Sequence, residues 1–417
     1  MRFLFPLVLI LFAEVYTVVA LRLALRPLPK GWRVALMTLY VIVTLIAWAG
    51  FLSFRRINWS SWPHGLRNAY VAGTLGLMVG KVLILAVMLL DEIRRLIAWI
   101  IGMIYSGGNT EGAEVAAKPG ITRSQFFVKT ALALGGASVI GFFYGITNRY
   151  DYRIRRITLR SPKVPPGFDG ARIAQLSDIH SGSFDNPAAV ARGVQMVLDE
   201  KPDVIFFTGD LVNNKADELG EYAQIFAKLK APLGVYSTLG NHDYGDYVTW
   251  PSAAAKTANL QTLAGLHKAM GWRLMMNEHI LLERGGDNIG LIGIENWSAK
   301  ANFPRYGRMA EAVAGMPEVP FKILLSHDPS HWEAQVVKQH RDVDLTLSGH
   351  THGMQFGIEL PFLKWSPVKL VYKQWAGLYE KAGQWLYVNR GFGFLGYPGR
   401  LGILPEITVI TLERSEA

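Results

Sequence analysis

An α/β domain behind about four transmembrane α-helices is the architecture this sequence predicts, and three observations carry the prediction. Half of the 417 residues are hydrophobic and only 18% are charged, too apolar for a soluble protein of this length. Four apolar stretches, roughly 3–25, 34–54, 69–90 and 126–147, reach the about 20 residues a helix needs to span a bilayer. From about Lys163 onward, short apolar runs alternate with helical segments, the pattern of buried strands in an α/β sheet. The expected division is a membrane domain over 1–150 and a second domain over 151–417.

Within the membrane part, the first stretch has only Arg2 ahead of it, is too long for a signal-peptide core, and is followed by further spans. It reads as a retained helix. The run 96–105 follows Arg94 and Arg95 and carries Trp99, which predicts a segment lying along the interface. Glu14, Lys81 and Lys129 fall inside spans, where a charge is costly unless paired or hydrated. Glu14 and Lys81 both sit near mid-span, so a pair between the first and third helices is expected; the alternative is that Lys81 snorkels or lines a small polar pocket. Residues 106–121 read as a loop, and 122–145 has the layout of an export or anchor segment with a single arginine, here taken as an anchor.

The net charge of +10 is unevenly placed. Residues 1–160 hold 19 Lys and Arg against 6 Asp and Glu, whereas 161–417 hold 24 against 27. The surplus therefore flanks the membrane spans, and nucleic acid is not an expected partner. Cysteine is absent, which excludes disulfides, thiolate metal sites and cysteine nucleophiles.

In the second domain, the run 172–176 leads into Ser177-Asp178, 204–207 into Thr208-Gly209-Asp210, and 235–239 into Gly240-Asn241-His242-Asp243. Asn186-Pro187 signals a helix start, running to about Lys201. The spacings Asp178 to Asp210 and Asp210 to Asn241 match the roughly 30 residues of one βαβ unit, so the polar residues recur at strand C-terminal ends, where α/β sheets bind ligands. Further strands are expected at 273–282, 289–294, 321–325, 343–347, 385–388 and 407–412.

Two later polar strand ends, Ser326-His327-Asp328 and Gly349-His350-Thr351-His352, complete a set of five. Carboxylate, imidazole and amide donors without sulfur suit divalent ions such as Mn, Fe, Zn or Mg. Side chains alternate along a strand, so Asp178 and His180, or His350 and His352, reach the same side if the backbone stays extended.

These motifs, in this order over about 170–413, resemble the calcineurin-like metallophosphoesterase family. Residues 386–393, Leu-Tyr-Val-Asn-Arg-Gly-Phe-Gly, followed by Pro398, Arg400 and Pro405-Glu406-Ile407, resemble its branch of bacterial membrane-associated phosphodiesterases. The resemblance implies an αββα sandwich and a binuclear metal centre. Asp178, His180 and His352 would hold one ion, Asn241, His327 and His350 the other, and Asp210 would bridge them. His242 would face the phosphate as a catalytic non-ligand, with Asp243 orienting it. Two such cations acidify a bridging water and neutralise charge in an in-line displacement.

Two departures from the family pattern bear on the site: Asn213 stands where many members have an acid, and Met354 where Gly is common. His331, His267, His279 and His340 read as ordinary polar residues. Arg390 is as readily a structural arginine as a phosphate contact. Trp365, Tyr372, Trp375 and Tyr379 form an aromatic cluster that suits the core, the cleft edge or a lipid-facing rim.

The resemblance implies a multi-pass protein of the bacterial cytoplasmic (inner) membrane that hydrolyses phosphodiesters, or phosphomonoesters, of a lipid-linked or cell-envelope substrate. The counted charges do not choose a side of the membrane. The anchor-like segment favours an extracytoplasmic domain. The rival reading, a pyrophosphatase acting on a nucleotide-linked lipid precursor, favours the cytoplasm, and a catalytically silent metal-binding membrane sensor is the alternative of another class.

Overall fold

The structure is a computed structural model describing residues 4–52, 62–105, 122–300 and 303–416. The loop expected at 106–121 lies outside the described residues. The chain forms two compact units, 1–146 and 147–417.

The first unit contains α1 (Leu4–Leu25), α2 (Lys30–Leu52), α3 (His64–Tyr105) and α4 (Arg123–Thr147). Each is long and apolar enough to cross a membrane. Pro27 and Pro29 stand between α1 and α2, where a helix cannot run on. The run 96–105, expected as a separate interfacial segment, instead continues α3 as one helix of 42 residues. Asp91 and Glu92 pair with Arg94 and Arg95 at i+3 and i+4 spacing, so the charged stretch that suggested a break stitches adjacent turns together.

The ion pair expected from the sequence is present. Lys81 Nζ lies 2.6 Å from Glu14 Oε2, and Lys81 is buried. The polar-pocket alternative holds as well, because Lys81 also donates to Thr44 Oγ1 at 3.0 Å and Tyr40 donates to Glu14. Together these bonds link α1, α2 and α3. Small residues bring α3 and α4 close: a Cβ on Gly80 would meet Gly135 O at 2.7 Å, and Ser138 Oγ donates to Gly76 O at 3.0 Å.

The second unit is an αββα sandwich. Its strands are β1 (Arg153–Ser161), β2 (Arg172–Leu176), β3 (Val204–Phe207), β4 (Val235–Ser237), β5 (Arg273–Leu274), β6 (Glu278–Arg284), β7 (Asp287–Gly293), β8 (Lys322–Leu325), β9 (Leu345–Ser348), β10 (Ile358–Leu360), β11 (Leu363–Trp365), β12 (Gly377–Lys381), β13 (Gln384–Val388) and β14 (Glu406–Arg414). One sheet runs β1-β14-β2-β3-β4-β5, the other β12-β13-β9-β8-β7-β6, and β10-β11 is a separate hairpin. The strands that precede the motifs, β2, β3 and β4 in one sheet and β8 and β9 in the other, are each parallel to their neighbours within that set. Their C-terminal ends thus share one edge per sheet.

Strand alternation builds the layers. Ile173, Val204, Phe206, Ile410, Ile323, Leu325, Leu345 and Tyr387 fill the space between the sheets. Their sequence neighbours Ala174, Leu176, Ile205 and Phe207 face outward onto α5 (Pro187–Asp199), α6 (Tyr222–Phe226) and α7 (Ala253–Ala269). Leu324, Leu386 and Val388 pack on the opposite exterior against Trp332 and Val336. Asn186 caps α5 through Ala189 N at 3.0 Å, with Pro187 in the first turn.

Two strand expectations change. The run 273–282 divides between the sheets, β5 in one and β6 in the other, with Asn277 at φ 61° in the segment that joins them. Strand β1, whose run of arginines hides the pattern of Ile154, Ile157 and Leu159, was not among those expected; it forms a charged sheet edge parallel to β14. Among the histidines set aside as ordinary polar residues, His267 and His331 are fully buried, on Ser237 Oγ at 2.9 Å and on Ser326 Oγ at 3.0 Å. His279 lies on β6 and bonds Ala312 O at 2.7 Å.

Two stability predictions follow from these contacts. Glu14→Gln leaves the Lys81 ammonium without its counter-charge, a change that costs on the order of 3 kcal/mol in comparable buried pairs. The thermal midpoint in detergent should fall, and Glu14→Gln combined with Lys81→Met should recover much of it; an unchanged midpoint for the single variant would show the pair to be dispensable.

Burial lowers His267 to about 3 and, first among several causes, His331 to about 4. Each imidazole is therefore neutral in the fold where the unfolded chain, titrating near 6.5, takes up a proton. Stability is complete above that value and declines as pH falls toward the folded pKa, by about 2 kcal/mol per imidazole at pH 5. His267→Leu should flatten the decline of the thermal midpoint between pH 7 and 5, and an identical slope would refute the assignment.

Candidate metal centre

The seven residues singled out as ligands lie just beyond the C-terminal ends of β2, β3, β4, β8 and β9, and the fold gathers them at one place. The ligand atoms of Asp178, His180 and His352 lie within 4.8 Å of one another, as do those of Asp210, His327 and His350. Asp210 Oδ2 faces both groups, 3.5 Å from His180 Nε2 and 3.2 Å from His327 Nε2. Asn241 Oδ1 joins the second group, 3.1 Å from His327 Nε2 and 2.7 Å from His350 Nδ1. In the first, His352 Nε2 lies 3.0 Å from His180 Nε2 and 3.2 Å from Asp178 Oδ1.

The backbone reaches this arrangement by a different route from the extended one expected. Asp178, His180, Asp210, His350 and His352 all take positive φ, between 49° and 70°. A left-handed residue turns its side chain out of the strand direction, which aims several donors from one loop at one point. Glycines make room for the crossing loops. A Cβ on Gly209 would lie 2.4 Å from Gly240 N, and one on Gly349 would lie 2.1 Å from Asp178 Oδ2.

Hydrogen bonds decide which atoms carry lone pairs. His327 Nδ1 lies 2.7 Å from Thr208 O, a pure acceptor, so Nδ1 bears the proton and Nε2 faces the site as a donor atom. Tyr372 donates to Asp328 Oδ2 at 3.2 Å and so accepts from His350 Nε2 at 2.9 Å, which leaves His350 Nδ1 bare. The Asn241 amide nitrogen donates to Tyr247 OH at 2.9 Å, which turns Oδ1 inward. With Nε2 of His327 deprotonated, lone pairs of Asn241, His327 and His350 thus converge beside the Asp210 carboxylate. That donor set fits a divalent cation.

The electrostatics agree. Burial opposes charge throughout, yet His327 and its neighbours hold Asp210 well below the usual carboxylate range. Against the same burial, Asp210 pushes the His327 imidazole up to about 10. A proton is drawn into the position that positive charge would otherwise fill. Burial, with Asp210 as its neighbour, pushes Asp243 up to about 7.

The two residues expected to act directly on the substrate are placed differently from each other. His242 is partly open and its Nδ1 donates to Asn213 O at 2.7 Å, so Nε2 is the free nitrogen. Asp243 does not bond the His242 ring. Its carboxylate instead accepts from Asp210 N and Gly240 N at 2.8 Å each, and from Leu211 N and Val212 N at 2.8 and 3.3 Å. It ties the two loops together. Asn213, in place of an acid, bonds Ser183 Oγ at 3.1 Å. Met354 stands 50% exposed.

Sequence reasoning passed over Tyr372, Tyr247 and Asp328 as neighbours of the ligands. Asp328 follows His327 directly and Tyr372 belonged to the aromatic cluster, so both carried a signal. Tyr247, whose ring lies 4.6 Å from that of His242, carried none. Arg390 is a structural arginine: its guanidinium pairs with Glu406 and, at 2.6 Å, with Glu359. In the aromatic cluster Tyr372 and Trp375 are buried, whereas Trp365 is exposed.

Comparison with known proteins identifies the family. Residues 171–354 match the model of the calcineurin-like phosphoesterase family, and 1–149 match that of a probable calcineurin-like phosphoesterase transmembrane domain. The chain is 31% identical over 303 residues to the uncharacterized metallophosphoesterase YkuE of Bacillus subtilis, covering 70% of this chain and 98% of that protein. It is 32% identical to a Danio rerio transmembrane protein with a metallophosphoesterase domain, covering 69% of this chain and 64% of that one. A UDP-2,3-diacylglucosamine pyrophosphatase, LpxG of Chlamydia trachomatis, is 27% identical over 58% of this chain and 83% of its own length. Motifs, fold and relatives together make this chain a membrane-protein member of the calcineurin-like metallophosphoesterases, metal-dependent hydrolases of phosphoesters.

Proposed function

We propose that residues 147–417 hydrolyse phosphodiesters at a binuclear centre, with Asp178, His180 and His352 holding one divalent ion, Asn241, His327 and His350 the other, and Asp210 shared. The observation that carries this reading is the single Asp210 oxygen facing both groups of donors. Two ions bound there would supply an acidified water and neutralise charge on the phosphoryl oxygens.

The remaining chemistry belongs to the protein. His242, its Nδ1–H fixed on Asn213 O, directs Nε2 outward, where, once the ring has taken up a second proton as imidazolium, it donates to a phosphoryl oxygen or passes that proton to the leaving group. Asp243 acts as a positioning residue that holds Asp210 and the backbone of His242 in register. Tyr372 and Asp328 fix the His350 tautomer so that Nδ1 points inward. Phosphomonoesters are the secondary substrate class. The ions are drawn from Mn, Fe, Zn and Mg.

A substrate of the membrane or cell envelope, and a place in the bacterial cytoplasmic membrane with an extracytoplasmic catalytic unit, agree with the four apolar helices and the anchor-like 122–145 segment. A reporter fused at the C-terminus reads the side directly. The pyrophosphatase reading is favoured by one observation, the name borne by LpxG. Release of UMP from a UDP-linked lipid, with inert chromogenic diesters, would select it. The silent-sensor reading is weakened by an intact His242.

Full-length protein supplied with Mn should cleave chromogenic diesters and lose that activity to a chelator; no turnover with any divalent metal would sink the enzymatic reading. His242→Ala should lower turnover by about 10²–10⁴-fold while metal content persists. Asp210→Asn, which weakens both half-sites at once, should lower total bound metal measured by elemental analysis. Retention of two ions per chain by Asp210→Asn would exclude a bridging role.

A further inference from the structure

We propose that the β10–β11 hairpin and the turn after it form a docking face that rests on the surface of an anionic lipid bilayer. The proposal concerns a surface and stands independently of the substrate assigned above.

Its basis is a hairpin folded with its polarity reversed. In the register of β10 and β11, Ile358 pairs with Trp365 and Leu360 with Leu363, so these four apolar side chains share one face. Glu359 and Lys364, paired between them, occupy the other. Glu359 bonds Arg390 at 2.6 Å and Arg155 at 3.0 Å, while Lys364 donates to Ala376 O and lies 4.9 Å from the Trp375 ring centroid. The charged face is therefore the bonded one, with Glu359 partly buried, although Lys364 itself stays exposed. The apolar face is open to solvent.

This surface is where the second unit concentrates its exposed apolar side chains. Among its described residues, eight of the thirteen large exposed hydrophobics fall between Met354 and Val371. Phe362 at the hairpin tip and Leu370 in the following turn are each 85% exposed. A patch of this kind marks an interaction surface rather than chance exposure.

Charge identifies the occupant. Leu370 and Val371 also border a cavity of about 560 Å³ lined by Lys300, Lys338, Lys369, Lys373 and Lys381, with Glu333 as its acidic residue. Apolar side chains beside clustered lysines match the two layers of an anionic membrane surface, acyl chains below and phosphate headgroups above. The same chain carries four helices able to cross a bilayer, so such a surface is always within reach of the second unit.

Docking there would bring the metal centre to the headgroup layer. The segment starts directly after His352 and Gln355 and ends at Tyr372, which touches His350. Its two ends thus adjoin ligands of both half-sites.

The absence of cysteine makes the test clean. Full-length Phe362→Cys, labelled with a polarity-sensitive fluorophore, is reconstituted into vesicles of phosphatidylethanolamine and phosphatidylglycerol containing nitroxide-labelled lipid. Ala254→Cys, exposed on α7, serves as the reference for mere proximity to the bilayer. Severalfold stronger lipid quenching at position 362 than at 254 is expected, together with protection from aqueous iodide. Iodide quenching without lipid quenching would overturn the proposal by leaving the face in water. Shielding from both quenchers would overturn it too, by assigning the face to a protein partner or a second copy. Lys369→Glu combined with Lys373→Glu should weaken the lipid quenching, and unchanged quenching would remove the electrostatic basis of the assignment.

Discussion

A single buried carboxylate organises the site. Asp243 accepts four backbone N–H groups, three from the loop after β3 and one from the loop after β4. Without those acceptors the loops would bury unsatisfied donors, at about 1–3 kcal/mol each. With them, Asp210 N and Gly240 N converge on one oxygen. The two loops can then lie as close as Gly209 and Gly240 allow. Asp210 reaches both clusters because this clasp holds its backbone, and His242 N bonds Asp210 Oδ1 at 2.8 Å in return.

The same logic extends across the two sheets. His350 N donates to both oxygens of Asp178 at 3.0 Å, joining the loop after β9 in one sheet to the loop after β2 in the other. His327 Nδ1 reaches Thr208 O, from β8 to the end of β3. Five residues with positive φ store strain of order 1–3 kcal/mol each, and it is offset by these inter-loop bonds and by the packed layers below. The lone pairs that converge there repel one another. A cation held there would relieve that repulsion, so ligation would recover part of the cost of building the site.

That Asp178, Asp210 and Asn241 end neighbouring strands was legible from their regular spacing, and which further residues join them was legible through the family resemblance. How they meet was not. Extended alternation predicts that Asp178 and His180 share a face, but both turn into left-handed conformations that strand periodicity does not encode. Asp243 is one residue from His242, and its partners are backbone groups, which carry no residue-type signal at all. The Glu14 to Lys81 pair was readable because an unpaired charge in a bilayer is so costly. The continuation of α3 was missed for the opposite reason: Asp91, Glu92, Arg94 and Arg95 look like a break until their i+3 and i+4 pairing is counted. Strand β1 escaped notice because its arginines outnumber its apolar residues.

The C-terminal stretch at 386–407 carried the branch resemblance in the sequence, yet its chemistry is that of a scaffold. Phe392 N and Gly393 N bond Ser177 O and Asp178 O at 2.8 and 2.9 Å, so this stretch is the floor on which the loop of Asp178 and His180 sits. A Cβ on Gly393 would lie 1.8 Å from Ile179 O, which leaves no alternative residue there. Arg400 is wholly buried and donates to Arg390 O at 2.7 Å, to Gly391 O and His352 O at 3.3 Å, and to Gly393 O. Burial pushes it down to about 9, against the opposing charges of Asp178 and Glu406. Such an arginine fixes the carbonyl positions beneath His352. Arg390 likewise spans Glu406 of the floor and Glu359 of the outward-turned hairpin. The loop of His352 is thereby connected to the hairpin through Arg400, the backbone of Arg390 and the Arg390–Glu359 ion pair. A sequence signature can mark the supports of a site more sharply than the atoms that react.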